Sequence, residues 1–118
     1  MATLTLTPDR LLVRLTTAEK LAGLHADVEV PLAAIRSVRV EQDPLAAVHG
    51  VRAPGLSLPG RVKIGTWRGR GHRSLVVARR GIPAVRIEVD GAKPDELLVS
   101  APEAERVADE LRARTGAA

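Results

Sequence analysis

The sequence predicts a mostly-β fold, a partly open barrel or sandwich of about seven antiparallel strands closed by one C-terminal α-helix. Three observations predict it. Apolar residues alternate at period two along most of the chain. Pro, Gly and Asp interrupt that alternation at short intervals. Only the last segment carries a long apolar stripe at helical spacing. The 118 residues suffice for one core and are too few for two. Residues 1–118 therefore read as a single domain, with strands over about 3–100 and the helix over about 102–114.

Leu4 and Leu6 alternate with threonines, and Leu11, Val13 and Leu15 resume the alternation after Pro8-Asp9. That pattern is a β-hairpin. Thr16 followed by Glu19 is a capping-box signature, and Gly23 stops the short helix it starts. Val28 and Val30, then Val38 and Val40, mark two short strands. From Pro44 to Gly60 the density of Pro and Gly predicts a long ordered loop, with Leu45 to Val48 as its one piece able to coil. Val62 and Ile64 alternate with Arg61 and Lys63, and Leu75 and Val77 with Arg73 and Arg79. The glycines of the 67–72 piece between them suit a hairpin loop. Val85, Ile87 and Val89 form a further strand closed by Asp90-Gly91, and Leu97 and Val99 form the last. Ser100, Pro102 and Glu103 read as the start of the terminal helix. In it, Ala104, Val107, Ala108 and Leu111 face the sheet, and Arg106, Asp109, Glu110 and Arg112 face water.

Composition restricts the function. The core must be aliphatic, because the chain has no Phe or Tyr and Trp67 is its one aromatic. Without cysteine there are no disulfides, thiolate metal sites or thiol nucleophiles. The N-terminal residues lack the pattern of a signal peptide, and no apolar run approaches a bilayer span, so the expected location is cytoplasmic. The Arg, Ala, Gly, Val and Leu bias is that of a GC-rich bacterial genome. Charge is segregated: residues 44–87 hold nine cations and no acid, against a total of +4, so the remainder is −5. Either this run belongs to solvated strand faces or it meets an anionic partner.

The order of these pieces resembles a known family. Val30-Pro31-Leu32, Ile35-Arg36-Ser37-Val38, Pro59-Gly60-Arg61 running into Ile64-Gly65-Thr66-Trp67, Ala84 to Val89, then Leu98-Val99 and the terminal helix are similar to small bacterial, actinobacterial-type pleckstrin-homology-like proteins. The resemblance spans nearly the whole chain. It implies two roughly perpendicular antiparallel sheets, seven strands where the residues show eight strand-like runs, and an open end plugged by the helix. It also implies a non-catalytic scaffold that binds head groups, peptides or proteins. Lys63, Arg68 and Arg70 have the Lys-x(n)-Arg-x-Arg spacing of lipid-binding members, though later in the chain.

No catalytic residues are expected. His25, His49 and His72 have no metal-ligand spacing, the serines lack a nucleophile elbow, and Asp90, Asp95 and Glu96 flank a turn where they should be solvated. Gly65, Gly69 and Gly71 join strands and open no helix, so they do not form a phosphate loop. No metal or cofactor is implied. Two readings follow. In the first, the chain is a non-catalytic binding or self-assembly module that meets another protein, or another copy of itself, through a strand edge or the 44–60 loop. In the second, Arg61, Lys63, Trp67, Arg68, Arg70 and Arg73 of the 61–80 hairpin bind an anion, recruiting the chain to acidic lipid at the inner membrane face or to nucleic acid. Trp67 either lies beside that ligand or covers the edge of the core.

Overall fold

The computed structural model of the chain describes residues 2–23, 26–48, 50–69, 71–91 and 94–117, and of Ala53 and Pro54 only the backbone. The strands are β1 (Thr3–Leu6), β2 (Arg10–Arg14), β3 (Val28–Pro31), β4 (Ile35–Glu41), β5 (Val51–Leu58), β6 (Val62–Gly69), β7 (His72–Arg79), β8 (Ala84–Val89) and β9 (Glu96–Ser100). Helix α1 (Thr17–Gly23) lies between β2 and β3, and α2 (Ala104–Thr115) ends the chain. The fold is mostly β with a C-terminal helix, as predicted. The strands form a three-stranded sheet, β1-β2-β3, and a six-stranded sheet, β4-β8-β9-β7-β6-β5.

Two expectations are corrected here. Neither sheet closes, and the strands are mixed: β9 inserts between β8 and β7, antiparallel to the first and parallel to the second. All eight strand-like runs are strands, and the ninth, β5, occupies half of the predicted loop. It pairs with β6 through a register shift between Arg52 and Gly55. An edge strand tolerates Pro54, whose missing N–H would break a ladder inside a sheet.

The main core lies between the two sheets and α2, built from Leu11, Val13, Val38, Leu75, Val77, Ile87, Leu97 and Leu111 among others. Alternation sends the next residues to the opposite face of the large sheet. There Trp67, Val76, Ala78, Ala84 and Leu98 form a second, smaller cluster beneath Leu45, Ala47 and Val48. The turn over 43–47, closed by Ala47 N–H to the Asp43 and Pro44 carbonyls, is thus a cover.

Helix α1 has the predicted capping box. Thr16 N–H donates to Glu19 Oε1 at 2.9 Å, and Glu19 N–H donates to Thr16 Oγ1 at 3.2 Å. Glu19 does more than cap. Its residue is 1% exposed, and Arg79 Nη2 of β7 donates to its other oxygen at 2.8 Å. Burial pushes its carboxyl up, but the Thr16 and Arg79 hydrogen bonds outweigh that and hold it below its ordinary value. The helix sits flush on the sheet through glycine. A Cβ at Gly23 would lie 2.9 Å from Ile64 Cγ2 and 3.1 Å from Gly65 Cα.

Helix α2 buries Ala104, Val107, Ala108 and Leu111, the stripe predicted for it. Three details differ. Its bounds are Ala104–Thr115 rather than 102–114, with Gly116 at φ 70° as its left-handed C-terminal cap. Ser100 does not cap it: buried at the end of β9, Ser100 Oγ accepts from Arg79 N–H and donates to the Ile82 carbonyl, tying β9 to the β7–β8 turn. Nor does Arg112 point to water. Its Nε and Nη2 donate to the Val38 carbonyl of β4 at 3.2 and 3.0 Å.

Candidate functional site

The described cations of the 44–87 run separate in space, because alternate strand residues face opposite sides of the sheet. Arg79 is neutralised by Glu19. Arg86 is buried on the outer face, donating to Glu41 Oε1 at 3.2 Å and to the Ala47 carbonyl at 2.6 Å. Lys63 Nζ donates to the Leu45 carbonyl at 3.3 Å. These two outer-face cations hold down the 43–48 cover, a structural use of charge that charge counting along the chain does not reveal.

Arg52, Arg61, Arg68, Arg73 and Arg80 are exposed, with no carboxylate partner among the described residues. They lie at the two ends of the β5–β6–β7 unit. Arg52, Arg68 and Arg73 mark the end at the β6–β7 hairpin turn, and Arg61 and Arg80 mark the other. Arg68 and Arg73 are direct cross-strand partners, a like-charge pair that costs stability when left alone. With Gly69, Gly71 and His72 they line a pocket of about 290 Å³. Arg70 lies outside the described residues, as do His25 and His49.

The predicted anion-binding set is therefore dispersed. Trp67 is 5% exposed and belongs to the outer-face cluster. Lys63 shares that face, while Arg61 lies at the far end of β6 from Arg68 and Arg73. The three carboxylates expected to be solvated differ from one another, and Asp90 is the one placed as expected. Asp90 is exposed. Asp95 lies 3.3 Å from His72 Nδ1 and accepts from Arg73 N–H at 2.9 Å. Glu96 is mostly buried in β9, accepting from Ser74 Oγ at 3.2 Å.

No family model, curated protein or solved structure matches the chain. The surface itself is what distinguishes one region from another. Among the described residues, the large hydrophobic side chains that stand exposed are Leu21 at 72%, Val51 at 75% and Leu58 at 45%. All three fall on β5 and on the helix packed beside it. Val51 pairs with Arg68 and Leu58 with Val62, so both share the face of Ile64, on which α1 rests through Gly23. Sequence reasoning named the 44–60 segment as a contact surface but read it as loop, and so missed the strand β5 within it. The signal it could have used is Val51-Arg52 and Leu56-Ser57-Leu58, two short alternating runs either side of Pro54-Gly55. Among the described residues there is no group of three or more His, Asp or Glu able to hold a metal ion, and no helix long and apolar enough to cross a membrane.

Proposed function

We infer that the chain is a non-catalytic binding module that docks another polypeptide along β5 and the adjacent α1. The observation that supports this is the coincidence of the free sheet edge with Leu21, Val51 and Leu58. Unpaired strand edges attract a further strand, and exposed apolar residues on one unit favour contact there. The resemblance to pleckstrin-homology-like scaffolds agrees with a binding role, as an analogy of fold. The test is affinity capture from the source cells with the wild-type chain and with V51D/L58D. A partner retained by wild type and lost by the double variant supports the reading; equal recovery by both removes β5 from it.

A second reading rests on the Arg68–Arg73 pair. An anion seated across the two guanidiniums would relieve their repulsion, and the glycine turn beside them leaves room for it. It predicts association with acidic liposomes or nucleic acid at low salt that weakens at physiological salt and disappears in R68E/R73E. Salt-insensitive binding, or binding unchanged in the variant, would sink it.

A further inference from the structure

The exposed surface of β5 carries information about what covers it. Its free edge runs from Val51 to Leu58, with the register shift at Arg52–Gly55 dividing it. The regular part is Gly55–Leu58, paired in order with Gly65, Ile64, Lys63 and Val62. On the α1 side this part presents Leu56 and Leu58, and Leu21 stands exposed on the helix beside it. Cations lie at each end: Arg61 next to Leu58, with Arg80 beyond it through the Arg80 N–H to Arg61 carbonyl bond at 2.9 Å, and Arg52 and Arg68 next to Val51, with Arg73 beyond Arg68. Strands β5, β6 and β7 contain no acidic residue. Carboxylates that touch this unit from outside are engaged, Glu19 by Arg79, Asp95 by His72 and the Arg73 amide, and Glu96 by Ser74.

This distribution discriminates between occupants. If a second copy paired β5 against β5 in antiparallel register, Arg61 and Arg80 of one copy would approach Arg52, Arg68 and Arg73 of the other, at both ends of the joint. In parallel register each cationic end would meet its own duplicate. Either arrangement sets like charge against like, a penalty that grows as salt falls. An extended segment with apolar residues at alternate positions and acids at its ends meets no such penalty. It gains backbone pairing from Gly55–Leu58, apolar contact with Leu58 and Leu21, and charge complementarity at the rim.

The geometry points to an acidic, extended polypeptide segment as the ligand of the β5 edge. This inference rests on the proposed function above and specifies the partner's chemistry. The probes are three acetylated, amidated ten-residue peptides, alternating Asp-Val, Lys-Val and Ser-Val, titrated into the full chain while its backbone amide resonances are followed. The Asp-Val peptide is expected to shift the amides of Gly55–Leu58. Its affinity should fall as salt is raised and drop by about tenfold in R61E/R80E, as for the loss of two rim charges. Those exposed arginines lie off the core, so the variant should keep the wild-type amide spectrum elsewhere, which verifies folding. If the Lys-Val or Ser-Val peptide moves the same amides equally well, the edge binds but the acidic preference is overturned. If no peptide binds and light scattering finds a dimer that Leu58→Asp dissolves, the occupant is a second copy. If neither peptide nor second copy engages Gly55–Leu58, the edge-binding function falls together with this inference.

Discussion

The two edges of the six-stranded sheet are finished in opposite ways. Strand β4, at one edge, lies under α2: Arg112 places two donors on the Val38 carbonyl, and Gln42 Nε2 donates to Glu105 at 3.2 Å. Strand β5, at the other, has α1 beside it and no further strand paired to its edge among the described residues; its interruptions are Pro54 and a register shift. Native proteins cover an edge, or blunt it with proline, irregularity and charge, to prevent indiscriminate pairing. Here β4 is covered and β5 is blunted. A blunted edge admits a partner that a covered one excludes, so stability should respond most to the β4 side and binding to the β5 side.

The largest effect expected from this contrast is at Leu111. It is fully buried where α2 meets the core, and Leu111→Ala should cost about 2–5 kcal/mol in chemical denaturation, the range for a buried leucine. A loss under about 1 kcal/mol would show that α2 is not packed on the sheet, and the contrast between the edges would collapse.

Next comes Glu19, which fastens the small helix beside β5. Glu19→Ala removes the capping-box acceptor and strands Arg79, whose side chain is 31% exposed and so still partly hydrated. The expected cost is about 1–3 kcal/mol, less than for a fully enclosed pair. Acid titration tests the same contact. The folded-state value of Glu19 lies below the ordinary 4.5, so its contribution is present above about pH 4.5 and is lost as pH falls through the lower folded value. Glu88, lowered by its hydrogen bond from Arg36, and Asp27, lowered by the Leu15 amide, add to the same acid limb. The informative quantity is therefore the difference between wild type and Glu19→Gln. That difference should shrink as pH falls below 4.5; a constant offset would mean that Glu19 ionisation does not support the fold.

Arg112 yields a smaller figure. An arginine facing water would cost less than about 0.5 kcal/mol when truncated. Two charge-assisted hydrogen bonds from a partly exposed side chain instead predict about 1 kcal/mol for Arg112→Ala, with Arg106→Ala on the outer face of the helix near zero. Equal midpoints for the two variants would mean that the Val38 contact contributes nothing to covering β4.

How far these features could be read in the sequence follows the range of the interactions. The first hairpin, the Thr16–Glu19 box and the α2 stripe depend on neighbours a few residues apart, and each is where local pattern put it. The β7–β9 parallel pairing brings Ser74 to Glu96 across 22 residues, and no local periodicity encodes it. Strand β5 was hidden because Pro54 and Gly55 carry a loop signature, although both are compatible with an edge. The eight strand-like runs were sound evidence of strands; the seven-strand family pattern would have removed one, and the chain instead has a ninth among the described residues. The basic run is contiguous in sequence but not in space: Lys63 and Arg86 turn to the outer face while Arg68, Arg73 and Arg79 turn to the other. Trp67, the residue most suggestive of a ligand, is consumed by packing on Val76 and Leu98.

The smallest expected change in stability separates binding from folding most cleanly. Leu58 is 45% exposed near the end of β5, and its Val62 partner is only partly buried, so a charge there meets water rather than core. Leu58→Asp should therefore alter the denaturation midpoint by an amount equivalent to less than about 0.5 kcal/mol, as at most surface positions. In binding the same change acts twice: it removes an apolar contact from the edge and puts a carboxylate beside Arg61 and Arg80. An acidic strand would then meet a site whose cations are already partly neutralised. Leu58→Asn removes the apolar contact without adding charge, so the two variants separate the terms. If recognition is charge-led, Leu58→Asp should weaken the acidic peptide more than Leu58→Asn does, and the gap should close as salt is raised. If both weaken it equally at every salt concentration, apolar contact dominates, and the arginines at the ends of β5 do not select the partner.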